Sequence, residues 1–335
     1  MSEQDRMPPK SYTAAEIAAM EFANPDPILF YFERGKTSDI VAKPKDGKTT
    51  FILEGIRPMR CGELFLGLPT KAVPVLYLTE QTKRSFRDKL RTVGITDGDD
   101  FRVFYITDFV GWHWPEICEC VREECRCYEI GLLVVDTLSK WAKITDEDSA
   151  AEALRVVGPL QVIADDNVAV VTLRHAGKGR HNTQDVVDVG RGSSAFPGEF
   201  DVCTVLSRAS GQGHPNRREL RSVAREDNVP PTLVIELKDG RYVCEGSTAN
   251  VEYRAARAAW LEHLPSDKLS ALPLRELCRI ANNAFSERTA GRAIDDLCKE
   301  GVAAGKKGVG RAKRRDQDAY WLLDAEQRLD DDDDL

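Results

Sequence analysis

Residues 43–50 combine the residue types that bind a di- or triphosphate. The segment reads Lys-Pro-Lys-Asp-Gly-Lys-Thr-Thr and follows a short apolar run, 40–42, that predicts a buried strand. A predicted helix opens at Lys48, so the loop lies between a strand and a helix. Backbone N–H groups of such a loop, with the positive end of the helix, form a cradle for phosphates. The residues expected to bind the nucleotide are Lys43, Pro44, Lys45, Asp46, Gly47, Lys48, Thr49 and Thr50.

Two residues of this loop have specific expected roles. Lys48 would reach the β- and γ-phosphates of ATP, and the hydroxyl of Thr49 would bind Mg²⁺. The usual phosphate-loop pattern has a glycine where this chain has Ala42. Alanine is small enough for close backbone approach, but a positive φ at this position would be unfavourable. A surface turn that happens to contain Gly-Lys-Thr is the alternative interpretation of the motif taken alone.

Three more candidate residues end apolar runs that predict parallel strands. Asp136 follows Leu-Leu-Val-Val and is expected to hold Mg²⁺, whereas Glu80 follows Val-Leu-Tyr-Leu-Thr and is expected to activate the attacking water. His175 closes Val-Val-Thr-Leu-Arg, where it could touch the γ-phosphate. A turn cap, a solvated glutamate and an inert histidine are the respective alternatives.

A fourth candidate lies in a polar region. The loop at 177–189 precedes Gly-Arg-Gly-Ser-Ser at 190–194. Arg191 could face the γ-phosphate of its own or of a neighbouring subunit, where such an arginine contributes about 10³–10⁵ in rate. A solvated loop without a function is the alternative.

The elements that must position these residues alternate between strands and helices. Strands are expected at 40–42, 73–79, 101–106, 131–138 and 168–173, and helices at 13–22, 83–93, 114–128 and 150–164. Buried strands alternating with helices predict an α/β fold with a mainly parallel sheet. Antiparallel strands that extend one edge of this sheet are expected at 201–208, 219–224, 232–237 and 241–244.

The last part of the chain has a different pattern. Helices are expected at 256–264, 274–282 and 287–299, followed by a hairpin with a basic tip. Three helices and a basic hairpin predict a winged helix-turn-helix, which makes DNA the expected partner. The residues expected to contact nucleic acid are Arg288, Thr289 and Arg292 on the recognition helix, and Lys306, Lys307, Arg311, Lys313, Arg314 and Arg315 on the hairpin.

The chain therefore divides into four predicted segments. These are a lead-in (1–37), an α/β domain with the phosphate loop (38–247), a winged-helix domain (253–325) and an acidic disordered tail (326–335). The tail contributes strongly to the net charge of −8 and could dock a basic protein partner, with a merely solvated end as the alternative. No apolar run is long enough to span a membrane and the polar N-terminus is no signal peptide, so a cytoplasmic protein is expected.

The nine cysteines are an odd number and fit a reducing compartment better than a disulfide framework. Four of them, at 118, 120, 125 and 127, have a spacing that is not a standard zinc pattern. On a helix, Cys118 and Cys120 point to different sides, which favours structural cysteines over a metal site.

Six motifs occur in the order found in one known family. They are residues 43–50, 63–70, 75–80, 133–138, 174–178 and 191–194. In this series the chain resembles the RecA-like AAA ATPases of the RepA group, which occur in plasmids, phages and integrated elements and include hexameric replicative helicases. The resemblance spans residues 35–245. It implies a homo-oligomer, with the hexamer as one candidate arrangement, and members often carry a C-terminal winged helix.

The resemblance also implies roles for single residues. Lys48 and Thr49 would bind Mg·ATP, and Asp136 would hold the metal. Glu80 would activate water, and His175 would sense the γ-phosphate.

Two departures from the family pattern bear on function. Members often have two histidines where this chain has Arg174 and His175, and their trans-acting arginine lies about where this chain has Asp201. Arg191 and Arg208 are therefore both candidates for that arginine. The leading hypothesis is a Mg²⁺-dependent, DNA-associated ATPase of helicase-like type. The alternatives are a non-hydrolysing, nucleotide-gated winged-helix regulator and an interaction protein that acts through its acidic tail.

Overall fold

The computed structural model describes residues 11–20, 27–147, 149–176, 195–209, 215–226, 229–281, 285–307 and 318–323. The acidic tail lies outside the described residues. So do five residues with predicted roles, namely Arg191, Arg311, Lys313, Arg314 and Arg315.

The described part of the chain alternates between strands and helices as far as its middle. The strands are β1 (Pro27–Leu29), β2 (Phe32–Glu33), β3 (Thr37–Ala42), β4 (Val75–Thr79), β5 (Phe101–Tyr105), β6 (Leu132–Asp136), β7 (Ala169–His175), β8 (Val202–Arg208), β9 (Arg217–Ala224), β10 (Thr232–Lys238), β11 (Arg241–Gly246), β12 (Leu272–Pro273), β13 (Ala303–Lys307) and β14 (Asp318–Leu322). The α-helices are α1 (Ala14–Ala18), α2 (Lys48–Met59), α3 (Lys83–Val93), α4 (Trp114–Cys127), α5 (Leu138–Trp141), α6 (Ala150–Asp165), α7 (Ala195–Glu199), α8 (Thr248–His263), α9 (Leu274–Ile280) and α10 (Glu287–Lys299). Two short 3₁₀ helices cover Ile106–Phe109 and Lys268–Ser270.

A sheet of nine strands dominates the fold, in the order β11-β10-β9-β8-β3-β7-β6-β4-β5. The six strands from β8 to β5 are parallel to one another, and β9 to β11 continue the sheet in antiparallel pairing. The predicted α/β fold with a large, mainly parallel sheet is confirmed.

The direction predicted for residues 201–208 was wrong. They were expected to be antiparallel, but β8 pairs in parallel with β3 and turns antiparallel only toward β9. More than twenty residues, including α7, separate β7 from β8, which is enough for a crossover that restores the strand direction. The short connections after β8 allow only reversals of direction.

The sheet carries a core on each face. Strand β6 is buried along its whole length, and its side chains alternate, with Val134 in one core and Leu133 and Val135 in the other. On the first face α2 supplies Phe51, Ile52 and Ile56, while on the second face most of the buried helical side chains come from α4 and α6. Helices on both faces explain why these strands read as unbroken apolar runs.

The cysteine-containing helix α4 packs on the second face. Its apolar side buries Ile117, Val121 and Cys125, as expected, and Cys118 is buried with them. Burial raises the pKa of Cys125 to about 12, which makes this thiol inert at neutral pH. In the part of the chain that the structure describes, no group of three or more His, Cys, Asp or Glu side chains could hold a metal ion.

The described C-terminal residues form three helices and a small antiparallel sheet in the order β12-β14-β13. Their own core contains Trp260, Leu277, Ile294 and Leu297. Helix α10 begins where the sequence places it, because Ser286 caps it by accepting a hydrogen bond from the Thr289 N–H at 3.1 Å.

Two helices have bounds that differ from expectation by more than two residues. Helix α8 was expected at 256–264 but starts at Thr248, where the Ser247 side chain accepts from the Asn250 N–H at 3.2 Å. The change in composition at 247–252 thus falls on the first turns of a continuous helix. Helix α1 covers Ala14–Ala18 only, and none of its residues is buried, so it has no packing to extend it.

Among the described residues, no helix combines the length and apolarity that crossing a bilayer requires.

Candidate functional site

Four neighbouring strands, β3, β7, β6 and β4, end at the same edge of the sheet. Each is followed or ended by one predicted site residue: Lys48, His175, Asp136 and Glu80 respectively. These residues come from four distant segments of the chain, and the parallel pairing of the strands brings them together. Ligands of open α/β sheets bind at this carboxyl edge.

The loop between β3 and α2 has the backbone that a phosphate cradle needs. Gly47, which precedes α2, has φ 102°, and a Cβ at this position would lie 3.1 Å from the Tyr242 hydroxyl oxygen. The left-handed backbone and the close hydroxyl both favour glycine here. Ala42 is the last residue of β3, paired with His175, and is 1% exposed. Its extended backbone does not need the glycine of the usual pattern.

Lys48 is held beneath this loop. It is 6% exposed, and its Nζ donates to the Ala42 carbonyl at 3.1 Å and lies 3.1 Å from His175 Nδ1. An ammonium has only hydrogens to offer, so Nδ1 must accept and the imidazole proton must sit on Nε2. Burial lowers the pKa of Lys48, and the charges of Asp136 and Asp46 oppose this shift. Burial, with the Lys48 charge, also lowers the pKa of His175.

Thr49 and Asp136 lie in direct contact. The Thr49 hydroxyl donates to Asp136 Oδ2 at 2.8 Å, and the Tyr77 hydroxyl donates to the same oxygen at 2.8 Å. Burial raises the pKa of Asp136, and both hydrogen bonds oppose the shift. A hydroxyl beside a carboxylate is the oxygen donor set that Mg²⁺ prefers, so these residues fit the expected metal.

Glu80 is the second carboxylate of the site. Its backbone N–H donates to the Asp136 carbonyl at 2.9 Å, so the two strand ends are tied together. Its Oε2 accepts from the Thr137 hydroxyl at 2.6 Å, and its Oε1 lies 3.6 Å from Lys140 Nζ. Thr137 directly follows Asp136 and Lys140 lies three residues further on, but no sequence pattern singled them out.

The residue before Gly47 has partners from another part of the sheet. Arg208 Nε donates to Asp46 Oδ1 at 3.2 Å, and Arg218 Nε donates to the Asp46 carbonyl at 2.9 Å. Arg208 was a candidate for a trans-acting arginine, and the structure places it against the loop of its own subunit. Arg218 and Tyr242 were not foreseen, because only the folded sheet brings them to this loop.

Arg174 lies inside the fold rather than at the edge. Its guanidinium makes two bonds to Asp39 Oδ2, at 2.9 and 2.7 Å, and Thr172 donates to Asp39 Oδ1 at 2.6 Å. Phe196 covers the guanidinium, with its ring centre 4.6 Å away. Successive side chains of a strand point to opposite faces, so Arg174 and His175 serve different regions.

The remaining predicted nucleotide-binding residues belong to this loop or to the first turn of α2. Lys43, Pro44 and Lys45 are exposed and Thr50 is half-buried. Lys45 has a left-handed backbone with φ 70°. Arg191 lies outside the described residues.

Among the residues predicted to contact nucleic acid, some side chains are exposed and others contact neighbouring side chains of the protein. Arg288, Lys306 and Lys307 are exposed. Thr289 is half-buried and accepts from the Ser286 hydroxyl at 2.8 Å, so it takes part in the helix cap. Arg292 lies over the Tyr253 ring, 4.8 Å from its centre.

No curated protein matches the chain. Among solved structures, a KaiC-like protein from the hyperthermophilic archaeon Pyrococcus horikoshii OT3 superposes with a TM-score of 0.48 and 14% identity, covering 67% of this chain and 98% of that one. The family model described as AAA domain matches residues 4–181, which is just over half of the chain and includes the phosphate loop, Glu80, Asp136 and His175. The chain therefore belongs to the AAA domain family of nucleotide-binding ATPases.

Proposed function

We propose that this protein is a Mg²⁺-dependent, RecA-like ATPase that hydrolyses ATP and acts on DNA through a C-terminal winged helix, in the manner of a helicase-like protein of a mobile element. The observation that carries the proposal is the 2.8 Å contact between Thr49 and Asp136, with Glu80 bonded to the backbone of the same Asp136. A candidate metal-binding pair and a candidate water-activating carboxylate thus meet where the adjacent strands β4 and β6 end.

Each residue of the site has a distinct task in this proposal. Mg·ATP would supply the γ-phosphoryl group, and its metal ion would neutralise part of the phosphate charge. Lys48 binds phosphate oxygens, and Thr49 and Asp136 bind the metal. Glu80 accepts a proton from the attacking water once its carboxylate is released from Thr137. Neutral His175 offers its Nε2–H to an oxygen acceptor at the same edge, because its Nδ1 is already occupied by Lys48.

The proposed DNA association is supported by the C-terminal elements. Three helices and a three-stranded antiparallel sheet follow one another in the order α8, β12, α9, α10, β13, β14. This order and the exposed Arg288 on α10 agree with a helix-turn-helix that presents α10 to a groove. Exposed Lys306 and Lys307 on β13 supply positive charge for the phosphate backbone.

The decisive experiment measures phosphate release by the purified protein with Mg²⁺, alone and with single- or double-stranded DNA. Lys48→Ala is expected to abolish nucleotide binding. Glu80→Gln is expected to bind ATP with normal affinity and to lose at least 100-fold in rate, the order of about 10²–10⁴ that general base catalysis contributes. Wild-type turnover in Glu80→Gln would exclude the role given to Glu80. DNA that changes neither rate nor mobility of the protein would exclude the proposed partner.

A second candidate function is a nucleotide-gated DNA-binding regulator that does not hydrolyse ATP. It is favoured by the engagement of both Glu80 carboxylate oxygens, one by Thr137 and the other by Lys140. A regulator would bind ATP, change its DNA affinity and release no phosphate. Wild-type phosphate release that Glu80→Gln abolishes would exclude it.

A further inference from the structure

Strands β8 and β9 place two arginines side by side next to the phosphate loop. Arg208 and Arg218 are direct cross-strand partners. Like charges in this position repel each other. Both arginines contact Asp46: Arg208 donates to its carboxylate and Arg218 donates to its backbone carbonyl. Two adjacent guanidinium groups can bind an anion, and in this structure the Asp46 carboxylate takes that role.

The two arginines are held very differently. Arg218 donates to three backbone carbonyls, those of Asp46, Pro215 and Arg217, so its guanidinium is fixed. Arg208 instead makes a 3.2 Å contact with the Asp46 side chain, and its own side chain is 68% exposed. An exposed ion pair of this kind is weak, so Arg208 can exchange partners at little cost. The Asp46 side chain is only 9% exposed and cannot follow it into solvent.

Asp46 is an unfavourable neighbour for a triphosphate. It precedes the Gly47-Lys48 step of the phosphate cradle, and its charge already acts on Lys48. A polyphosphate bound in this cradle is repelled by an adjacent carboxylate and attracted by an adjacent guanidinium. Arg208 ends β8, the strand next to β3, and β8 runs parallel to β3. Its side chain therefore emerges at the same edge as the phosphate loop.

We propose that Arg208 is a nucleotide-binding residue of its own subunit, which Asp46 retains in the empty site and which the phosphates of ATP take over. Asp46 and the triphosphate compete for one guanidinium, so Asp46 lowers the affinity for ATP while Arg208 raises it. This inference rests on the proposed nucleotide-binding function and adds a residue to that site. It also gives Arg208 a role within one subunit rather than between subunits.

A purely structural brace is the contrasting explanation. If the Arg208–Asp46 pair only shaped the loop, removing either partner would disturb the cradle, and both variants would bind ATP less well. Competition predicts effects of opposite sign for the two partners. The sign of the Asp46→Asn effect therefore separates the two explanations.

The experiment titrates fluorescent mant-ATP with Mg²⁺ into the full-length protein and four variants. Arg208→Ala is expected to raise the Kd about tenfold, the loss of one charge-assisted hydrogen bond. Asp46→Asn is expected to lower the Kd severalfold, and Arg208→Lys to recover part of the loss because it retains the charge. The matched control is Arg225→Ala, since Arg225 is 58% exposed and lies 3.3 Å from Asp201 at the opposite edge of the sheet. The control is expected to bind like wild type.

Thermal unfolding of each variant verifies that the fold is intact. Weaker binding by both Arg208→Ala and Asp46→Asn, or unchanged binding by Arg208→Ala, overturns the inference while wild-type binding leaves the proposed function standing. A wild-type protein that binds no mant-ATP overturns the proposed function itself, and this inference with it.

Discussion

At the scale of single residues, the contact between Lys48 and His175 makes the stability of the nucleotide-free protein sensitive to pH. The folded pKa of His175 is lowered below its usual 6.5 by burial first and by the Lys48 charge second, while Glu80, Asp136 and Glu147 act in the opposite direction. In the unfolded chain the imidazole titrates at its usual value, so the unfolded state binds the proton first.

We therefore expect the free energy of unfolding to fall as the pH drops from 6.5 through the lowered pKa of His175. Above pH 6.5 the imidazole is neutral in both states, so the stabilising contribution of His175 is fully present there. Urea unfolding of the nucleotide-free protein at a series of pH values, for wild type and His175→Asn, measures this contribution. The difference between the two curves cancels the opposite effect of Asp136, whose folded pKa is raised. Parallel curves for the two proteins would show that His175 is not perturbed.

Local sequence was sufficient to propose the candidate residues that lie in one short segment or at a strand end. Lys48 and Thr49 follow from a motif, and Asp136, Glu80 and His175 follow from the rule that parallel strands end at one edge. The positions of Arg208, Arg218 and Tyr242 could not be predicted, because they depend on which strand lies beside β3. A separation of 172 residues between Asp46 and Arg218 leaves no local signal.

At the scale of secondary structure elements, the pair Asp39–Arg174 ties β3 to β7 inside the sheet. Arg174 and Asp39 side chains are 5% and 0% exposed. Removing one partner of a buried pair leaves an uncompensated charge, at a cost of about 3–5 kcal/mol. Asp39→Ala is therefore expected to lower the free energy of unfolding by about that amount, as measured by urea denaturation.

The matched comparison is Asp88→Ala, which removes an exposed partner of Arg87 at 2.9 Å. Exposed pairs contribute about 0–1 kcal/mol, so this variant is expected to unfold like wild type. If Asp39→Ala lost no more stability than Asp88→Ala, the buried pair would not be a structural tie. Arg174→Ala is expected to be destabilised in the same direction as Asp39→Ala.

The hairpin strand β13 gives a prediction about DNA. Lys306 and Lys307 are exposed, and each phosphate contact on duplex DNA contributes about 0.9 to the slope of log K against log salt. The double variant Lys306→Glu/Lys307→Glu is expected to bind DNA more weakly and to reduce that slope by up to about 2, with nucleotide binding unchanged. Fluorescence anisotropy at several salt concentrations measures both.

Arg87→Glu is the control, because it changes the charge of an exposed arginine on α3, far from the C-terminal sheet in the chain. An equal loss of DNA binding in the control would reveal a non-specific charge effect and reject β13 as a contact. Truncation is a less clean test than substitution. A chain cut at 254 would end within α8, so any truncation should precede Ser247, the cap of that helix.

The elements themselves were largely predictable from apolar periodicity. Helix α3 begins and ends where expected, because Thr82 caps it and Gly94 ends it in a left-handed conformation. The direction of β8 could not be read from its own residues, since parallel and antiparallel strands use the same apolar pattern when both faces are covered.

At the scale of the whole molecule, the site opens at one edge of the sheet, where a neighbouring subunit could supply a further positive charge. Arg191 is our candidate for that charge and lies outside the described residues. If it acts between subunits, ATP should promote oligomers and the rate per subunit should rise with protein concentration. Mixing Arg191→Ala with Lys48→Ala should restore activity, because one variant has an intact pocket and the other an intact arginine.

Sedimentation with and without ATP, together with phosphate release from the mixed variants, measures both effects. A monomer with concentration-independent hydrolysis and no rescue on mixing would reject a ring-shaped motor. Such a result would leave the Arg208 inference intact, since Arg208 contacts the phosphate loop of its own chain.

Helix α8 connects the large sheet to the C-terminal core without a break. Near its start the Thr248 hydroxyl bonds to Glu219 at 2.8 Å and Arg254 bonds to the Glu245 carbonyl, while near its end Trp260 Nε1 donates to the Ala290 carbonyl of α10 at 3.1 Å. A helix advances about 1.5 Å and turns about 100° per residue, so its length also sets the rotation between the groups attached near its two ends. One residue inserted between Arg254 and Trp260 would swing α10 about 100° around the helix axis, whereas seven would return it to within about 20° and move it some 10 Å outward. The number of residues in α8 therefore sets the direction in which the C-terminal unit faces, independently of the identity of those residues.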